Sequence, residues 1–253
     1  MRRLGLISIV LLLAACQSGG GGGNVVGWVR SPQQVIFRTD VSGSEDPWEY
    51  INGVPRCAVY GDNRVVWRNN LGSGEYEVLY DRVSDDAISR FIEMLTVNER
   101  IYTYQSPPRT PPPDGIEPIY PTVYIDVNGL AHTADETSGW PQGWYERVTE
   151  ACTTLSQTPV LFLPTGGWLV VQADALHPDM PLWIWRDTTV SLSEIADSGQ
   201  PRWVTGDTAA QVWAAMTTMP PSLRHQEGER FFRIALQVPG FTRVSPPAPP
   251  EQQ

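Results

Sequence analysis

The chain has 253 residues, a formal net charge of -10 and 41% hydrophobic content. That is enough apolar material for one large domain or two small ones with real cores. The acidic balance excludes the basic patch that nucleic acid or anionic headgroups require. All 18 basic residues are arginine, which excludes a lysine Schiff base, a lysine general base and a P-loop lysine.

In chain order, Arg2 and Arg3 precede an apolar run from Leu4 to Leu13 and the small residues Ala14 and Ala15, the pattern of an export signal. The run is about half the length a membrane-spanning helix needs. Leu13-Ala14-Ala15-Cys16 resembles the bacterial lipobox. That resemblance implies cleavage before Cys16 and acylation of its thiol. The alternative is an ordinary signal peptide with an incidental cysteine. Residues 1–15 are therefore expected as leader and 16–24 as lipidated cysteine plus a Gly-rich tether reaching roughly 15 Å. Loss of Arg2 and Arg3 takes the formal charge from -10 to -12. Two or three acyl chains hold a protein stably on a membrane, so the expected address is extracytoplasmic, anchored to a bacterial cell or outer membrane.

The body alternates strand and helix patterns. The stretches at 26–30 ("VGWVR" ending at Arg30) and 34–40 alternate as strands, and Arg56 to Trp67 reads as a hairpin about Gly61-Asp62-Asn63. Glu75 to Val83 alternates again. Ser84 then caps a helix with Asp85 and Asp86 in its first turn and Ile88, Phe91, Ile92 and Leu95 on one face. Ser106 to Pro118 is a proline-rich loop, Thr122 to Asp135 a hairpin turning at Asn128-Gly129, and the segment from Gly143 a helix with Trp144, Val148, Ala151, Cys152 and Leu155 on its apolar side. Beyond 157 follow strands at "GWLVVQAD", "PLWIWRD" and Trp203-Val204, helices at "SLSEIADSG" and "GDTAAQVWAAMTTM", and a closing hairpin through Glu227-Gly228. The expectation is an α+β fold of antiparallel sheets, hairpins and a few packed helices. It divides into residues 25–157 and 158–244, with 245–253 a disordered Pro-rich tail. Val83 to Leu95 echoes Val204 to Met216. Either shared capping grammar or two similar subdomains account for the echo, and the first is favoured.

Candidate chemistry is sparse. After Cys16, only Cys57 and Cys152 remain, an even count in an oxidising compartment. A disulfide between them and two buried thiols both stay open. His132, His177 and His225 lie far apart without ligand spacing, so no metal is expected. His132 and Asp135 sit at i and i+3 of a strand, on opposite faces. Asp62, Asp85 and Asp207 occupy turn or helix-start positions. The carboxylate pairs Asp135-Glu136 and Glu227-Glu229 carry no catalytic pattern, and there is no G-x-S-x-G elbow. No cofactor is implied. Tryptophan is the one excess, with ten in the chain. Trp140 and Trp144, and Trp183 and Trp185, are the candidates for stacking on a glycan or peptide, against packing as the bland account.

"PRCAVYGDNRVVW", with Tyr60-Gly61-Asp62-Asn63 at its centre, resembles a hairpin near the start of a group of uncharacterised exported bacterial proteins, often lipoproteins; "VTGDTA" and "PLWIWRD" resemble later segments. Asn63 stands where that group usually has glycine. The resemblance implies envelope location and a shared fold, and no activity. The leading functional expectation is a membrane-anchored, non-catalytic interaction or scaffold module with an envelope protein or glycan partner. The alternatives are a glycan- or peptide-binding lipoprotein using exposed tryptophan, an envelope-polymer hydrolase, and a solute-binding lipoprotein, for which the chain is short.

Overall fold

In the computed structural model, which describes residues 26–43, 46–72, 74–108 and 118–250, two sheets organise the chain. Cys16, the leader and the tether lie outside the described residues. The first sheet contains β1 (Val35–Ser42), β2 (Cys57–Tyr60), β3 (Arg64–Gly72), β4 (Glu75–Arg82), β5 (Tyr120–Val127), β6 (Leu130–Asp135) and β7 (Val160–Leu161). Their spatial order is β6-β5-β1-β2-β3-β4-β7, antiparallel throughout. The second contains β8 (Gly166–Asp174), β9 (Leu182–Ile184), β10 (Arg202–Thr205), β11 (Arg224–Glu227) and β12 (Arg230–Gln237), in the order β10-β8-β12-β11-β9. The fold is α+β with hairpins. One pairing departs from the antiparallel expectation: β9 lies parallel to β11, reached by a long crossover rather than a hairpin.

Among the described residues five α-helices accompany the sheets: α1 (Pro47–Asn52), α2 (Asp85–Glu93), α3 (Trp144–Thr153), α4 (Leu192–Ser198) and α5 (Gly206–Thr218). Their ends obey local rules. The Ser84 hydroxyl accepts from the Ala87 N–H at 3.2 Å, and α2 turns Ile88, Phe91 and Ile92 inward. Helix α1 has no counterpart in the sequence reading; Asp46 caps it by accepting from Trp48 N at 3.1 Å, with Pro47 at its first position. The β5–β6 turn holds Asn128 at φ 54° and Gly129 at φ 72°, the left-handed pair a two-residue hairpin demands.

The expected strand at 26–30 does not form. Val26 and Trp28 pack against the core while Arg30 reaches outward to Asp85 at 2.7 and 2.8 Å, so the alternation reflects side-chain burial without ladder pairing. In the Pro-rich C-terminal segment, expected as a free tail, the Trp168 indole N–H donates to the Pro247 carbonyl at 3.0 Å, and Gly240 N donates to the Ser245 hydroxyl; residues 251–253 lie outside the described residues.

The first sheet is covered on both faces. On one, Ile36, Phe37, Val59, Val65, Val123 and Ile125 pack with α2, α3 and the disulfide between Cys57 and Cys152, whose Cα atoms are 6.3 Å apart. On the other, Ala58, Tyr60, Val66 and Val78 share one apolar cluster with Leu169, Phe232 and Leu236 of the second sheet and with Val212 and Trp213 of α5. The chain crosses between sheets after Leu161, since β7, beyond residue 157, still pairs with β4. The two sheets bury a single core between them.

Two stability predictions follow from this packing. The disulfide spans a sequence separation of 95 residues, so replacing both cysteines by alanine should lower unfolding free energy by about 4 kcal/mol, read from urea midpoints under non-reducing conditions. Gly61 passes so close to the N-terminal segment that an added Cβ would stand 2.0 Å from the Val29 carbonyl oxygen. Gly61→Ala should therefore cost about 1–3 kcal/mol in the same assay.

Candidate functional site

The four candidate tryptophans fall into two unrelated places. Trp140 stacks on Trp144 at 4.9 Å and on Tyr145 at 6.2 Å, the group lying against α3. Trp144 is 1% exposed and presents no open ring face. Trp185 is likewise buried, its indole N–H donating to the Val190 carbonyl at 2.8 Å. Burial of these two rings corrects their assignment as stacking platforms: helical periodicity turned Trp144 into the core, and Trp185 sits under α4's entry. Trp140 is half-buried, and Trp183 alone is exposed, on the edge strand β9.

The candidate acid–base groups are equally committed. His132 lies against Tyr102 at 5.4 Å, with Nε2 buried and without a hydrogen bond, while the Asp135 carboxylate accepts from Thr137 N and Oγ1 at 2.8 and 2.6 Å. Glu227 caps α4 from a distance, accepting from Leu192 N at 3.0 Å and Ser193 N at 2.8 Å. Burial alone would raise its carboxyl, but the bonds from the Ser193 hydroxyl and these amides outweigh it and lower it. Asp62 accepts from Arg64 and Arg82 at the hairpin tip. Asp85, clamped by Arg30 and Asn63, is lowered to about 2. Among the described residues no group of His, Cys, Asp and Glu has the arrangement of a metal site.

The site that sequence reasoning missed is a cleft of about 410 Å³. Helix α1 forms one wall with Trp48, Glu49 and Tyr50; Arg68 and Tyr76 of the first sheet form a second; β12 supplies Arg233; and the end of α5 with the following loop supplies Met216, Met219, Pro220 and Leu223. Its size is that of a small-molecule pocket. Three guanidinium groups face it, two of them ion-paired and one not. Arg243 is paired with Asp40 at 2.6 and 2.5 Å and lies 4.5 Å from the Tyr50 ring centroid. Arg233 is paired with Asp46 and lies over Trp48. The Arg68 guanidinium has no hydrogen bond or ion pair among the described residues: its Nε is buried and unpartnered, and its guanidinium carbon lies 5.2 Å from the Tyr76 ring centroid.

Electrostatics follows from this placement. Burial lowers the Arg68 guanidinium, and the nearby Arg243 and Arg56 lower it further. Burial raises the Glu49 carboxyl, Asp46 adds to the rise, and the cations, Arg68 foremost, oppose it. For Asp46, burial is overcome by the Arg233 bond, and the carboxyl is lowered. His225, 5% exposed on the cleft floor with Nδ1 unpartnered, lies between Trp183 at 6.3 Å and Trp185 at 6.2 Å. Desolvation, then the adjacent Arg224, pushes it down to about 4.

No family model, curated protein or solved structure matches the chain. The cleft is therefore read from its own groups. It offers a preorganised wall of paired charges, one open guanidinium and an apolar side, a chemistry suited to holding a ligand.

Neutral His225 carries a pH signature. A base depressed in the folded state leaves the unfolded chain binding more protons between about 4 and 6.5, so its contribution is fully present above 6.5 and is lost as pH falls through that window. The His225 ring resonances should titrate near 4 by NMR. His225→Gln should remove from the stability–pH profile a slope worth on the order of 3 kcal/mol across the window.

Proposed function

We propose that the chain is an exported, lipid-anchored binding module of the bacterial envelope, holding a small ligand in the cleft without transforming it. The observation that carries the reading is the cleft itself: two of its three guanidiniums are already neutralised by Asp40 and Asp46, leaving one free to meet a ligand. Its ionisable groups are arranged for recognition. Asp40 and Asp46 are locked in ion pairs, and among the described residues no carboxylate hydrogen-bonds His225, so none of these three fits the role of a general base. The address rests on the leader, the lipobox-like Leu13-Ala14-Ala15-Cys16 and the resemblance of the hairpin to exported proteins. The disulfide is what an oxidising, extracytoplasmic compartment permits. Among the described residues no helix is long and apolar enough to cross a membrane, and the lipid would serve as the anchor.

A second reading has its own observation. Edge strand β9 exposes Leu182, Trp183 and Ile184 at 41%, 40% and 54%, next to its unpaired backbone edge. An extended peptide adding to that edge would give Trp183 the stacking role that composition points to.

The test is purification from the membrane fraction of the native host, followed by intact-mass analysis and mass spectrometry of small molecules released on denaturation. Wild type should begin at an acylated Cys16 and release an unmodified ligand, and Cys16→Ser should leave the membrane pellet. A soluble, unacylated wild type would overturn the anchor, and steady consumption of the ligand by purified protein would turn the reading to an enzyme. Retention of peptides, lost in Trp183→Ala and kept when Arg68 is changed, would favour the β9 edge.

A further inference from the structure

We infer that the cleft takes a small acyl carboxylate: a monoanionic headgroup on Arg68 and a short apolar body against Met216, Met219, Pro220 and Leu223. This rests on the binding-module reading and names its ligand class. The headgroup argument starts from Arg68. A guanidinium presents a planar fork of donors that matches a carboxylate bidentately. Arg243 and Arg233 spend that fork on Asp40 and Asp46, whereas Arg68 holds a buried, unpartnered Nε and lines the cleft with the remainder of its group. Nε itself is closed off from the cleft, so the acceptor meets the two Nη groups, which carry no hydrogen bond among the described residues, and an entering carboxylate would take them end-on. Among the described residues Arg68 is the one lining cation without an ion pair, and one cation calls for one negative charge.

The body of the ligand is set by the apolar part of the lining. Met216 and Met219 are flexible thioethers that adapt to an aliphatic chain, and Pro220, which has no N–H, offers no donor. Ile119 and Met219 stand exposed at the rim, 48% and 37% accessible, as apolar surface with nothing described covering it. Sugars would leave their hydroxyls unpaired along this wall. The volume of about 410 Å³ is that of a pocket for a small molecule, and an eight-carbon carboxylate is a probe of that class. Among the described residues Glu49 is the lining carboxylate without an ion pair, and burial first, then Asp46, raises its carboxyl against the opposing pull of Arg68.

The probes are sodium octanoate, octanol, octyl phosphate and acetate, titrated calorimetrically into the full chain carrying Cys16→Ser, which needs no detergent. Octanoate should bind, octanol and acetate at least tenfold more weakly, and Arg68→Gln should weaken octanoate by about 10- to 100-fold, the range for a charge-assisted pair. Arg68→Lys, keeping charge without the fork, should fall between, and Glu49→Gln should bind at least as tightly as wild type. Met219→Glu, at an exposed position that the fold does not need, should weaken octanoate with an unchanged melting temperature. Octyl phosphate binding more tightly than octanoate would overturn the carboxylate assignment in favour of a phosphate headgroup. Octanol matching octanoate, or Arg68→Gln matching wild type, would overturn the anionic assignment. If material released from native protein occupies the cleft and octanoate does not bind, the ligand class falls and the binding module stands; if native protein releases nothing and no probe binds, both fall.

Discussion

The buried ion pair between Arg243 and Asp40 is the interaction on which the rest of the architecture depends. Asp40 belongs to β1 and Arg243 to the segment after β12, 203 residues later. The same arginine also donates from Nη1 to the Tyr50 carbonyl at 2.7 Å and from its backbone N–H to the Gly53 carbonyl at 2.9 Å. Two charges withdrawn from water are tolerated only when their geometry is satisfied, and removal of either partner leaves an uncompensated buried charge. The chain end is therefore held in one register against β1 and α1. That register fixes the cleft, because α1 reaches it from the first sheet and β12 from the second. Gln237 reinforces the seam, donating to Asn52 Oδ1 at 2.7 Å.

A second arginine explains why the hairpin motif is so distinctive without being a site. Arg64, next to the turn, donates from Nε to Asp62, from Nη2 to the Pro32 carbonyl at 2.6 Å and from Nη1 to the Gly240 carbonyl at 3.3 Å. Asn63, left-handed at φ 69°, donates to Asp85 and so ties the same turn to the start of α2. Gly61 lets the N-terminal segment pass at backbone contact. The turn residues join four parts of the chain at one point, and each is accounted for by packing or hydrogen bonding. Tyr60 belongs to the same junction: buried, with its phenol pushed up to about 12 by desolvation, it is a core residue and not an acid.

Much of the fold was legible because its signals are local. Ser84 followed by two aspartates announces α2, Asn128-Gly129 announces the β5–β6 turn, and Gly199 at φ 63° closes α4 where the glycine stood. Misreadings have equally local causes. Asp46-Pro47-Trp48-Glu49 carries an N-cap, a helix-starting proline and a first-turn acid, yet α1 is too short for an apolar period to show. Residues 26–30 alternate because alternate side chains meet the core, with Arg30 stacked on Trp28 at 4.0 Å. The cleft was not legible at all. The available hint was charge inside apolar strands, Arg68 after "RVVW" and Arg233 within "RFFRIALQ", and such residues look alike whether they end in an ion pair or in an open pocket.

The sequence by itself determined what depends on neighbours within a few positions: the leader-like N-terminus, the hairpin turns, the helix caps, the acidic lysine-free composition and the α+β class. Only the tertiary structure decided what depends on partners far apart. It joined Cys57 to Cys152, left Trp183 outside and Trp144 inside, gave Asp46 to Arg233 and Asp40 to Arg243, and left Arg68 without an ion pair among the described residues. The physical reason is that capping and turn energetics act over one turn of chain, whereas burial and charge pairing are properties of a surface assembled from residues that the sequence places up to two hundred positions apart.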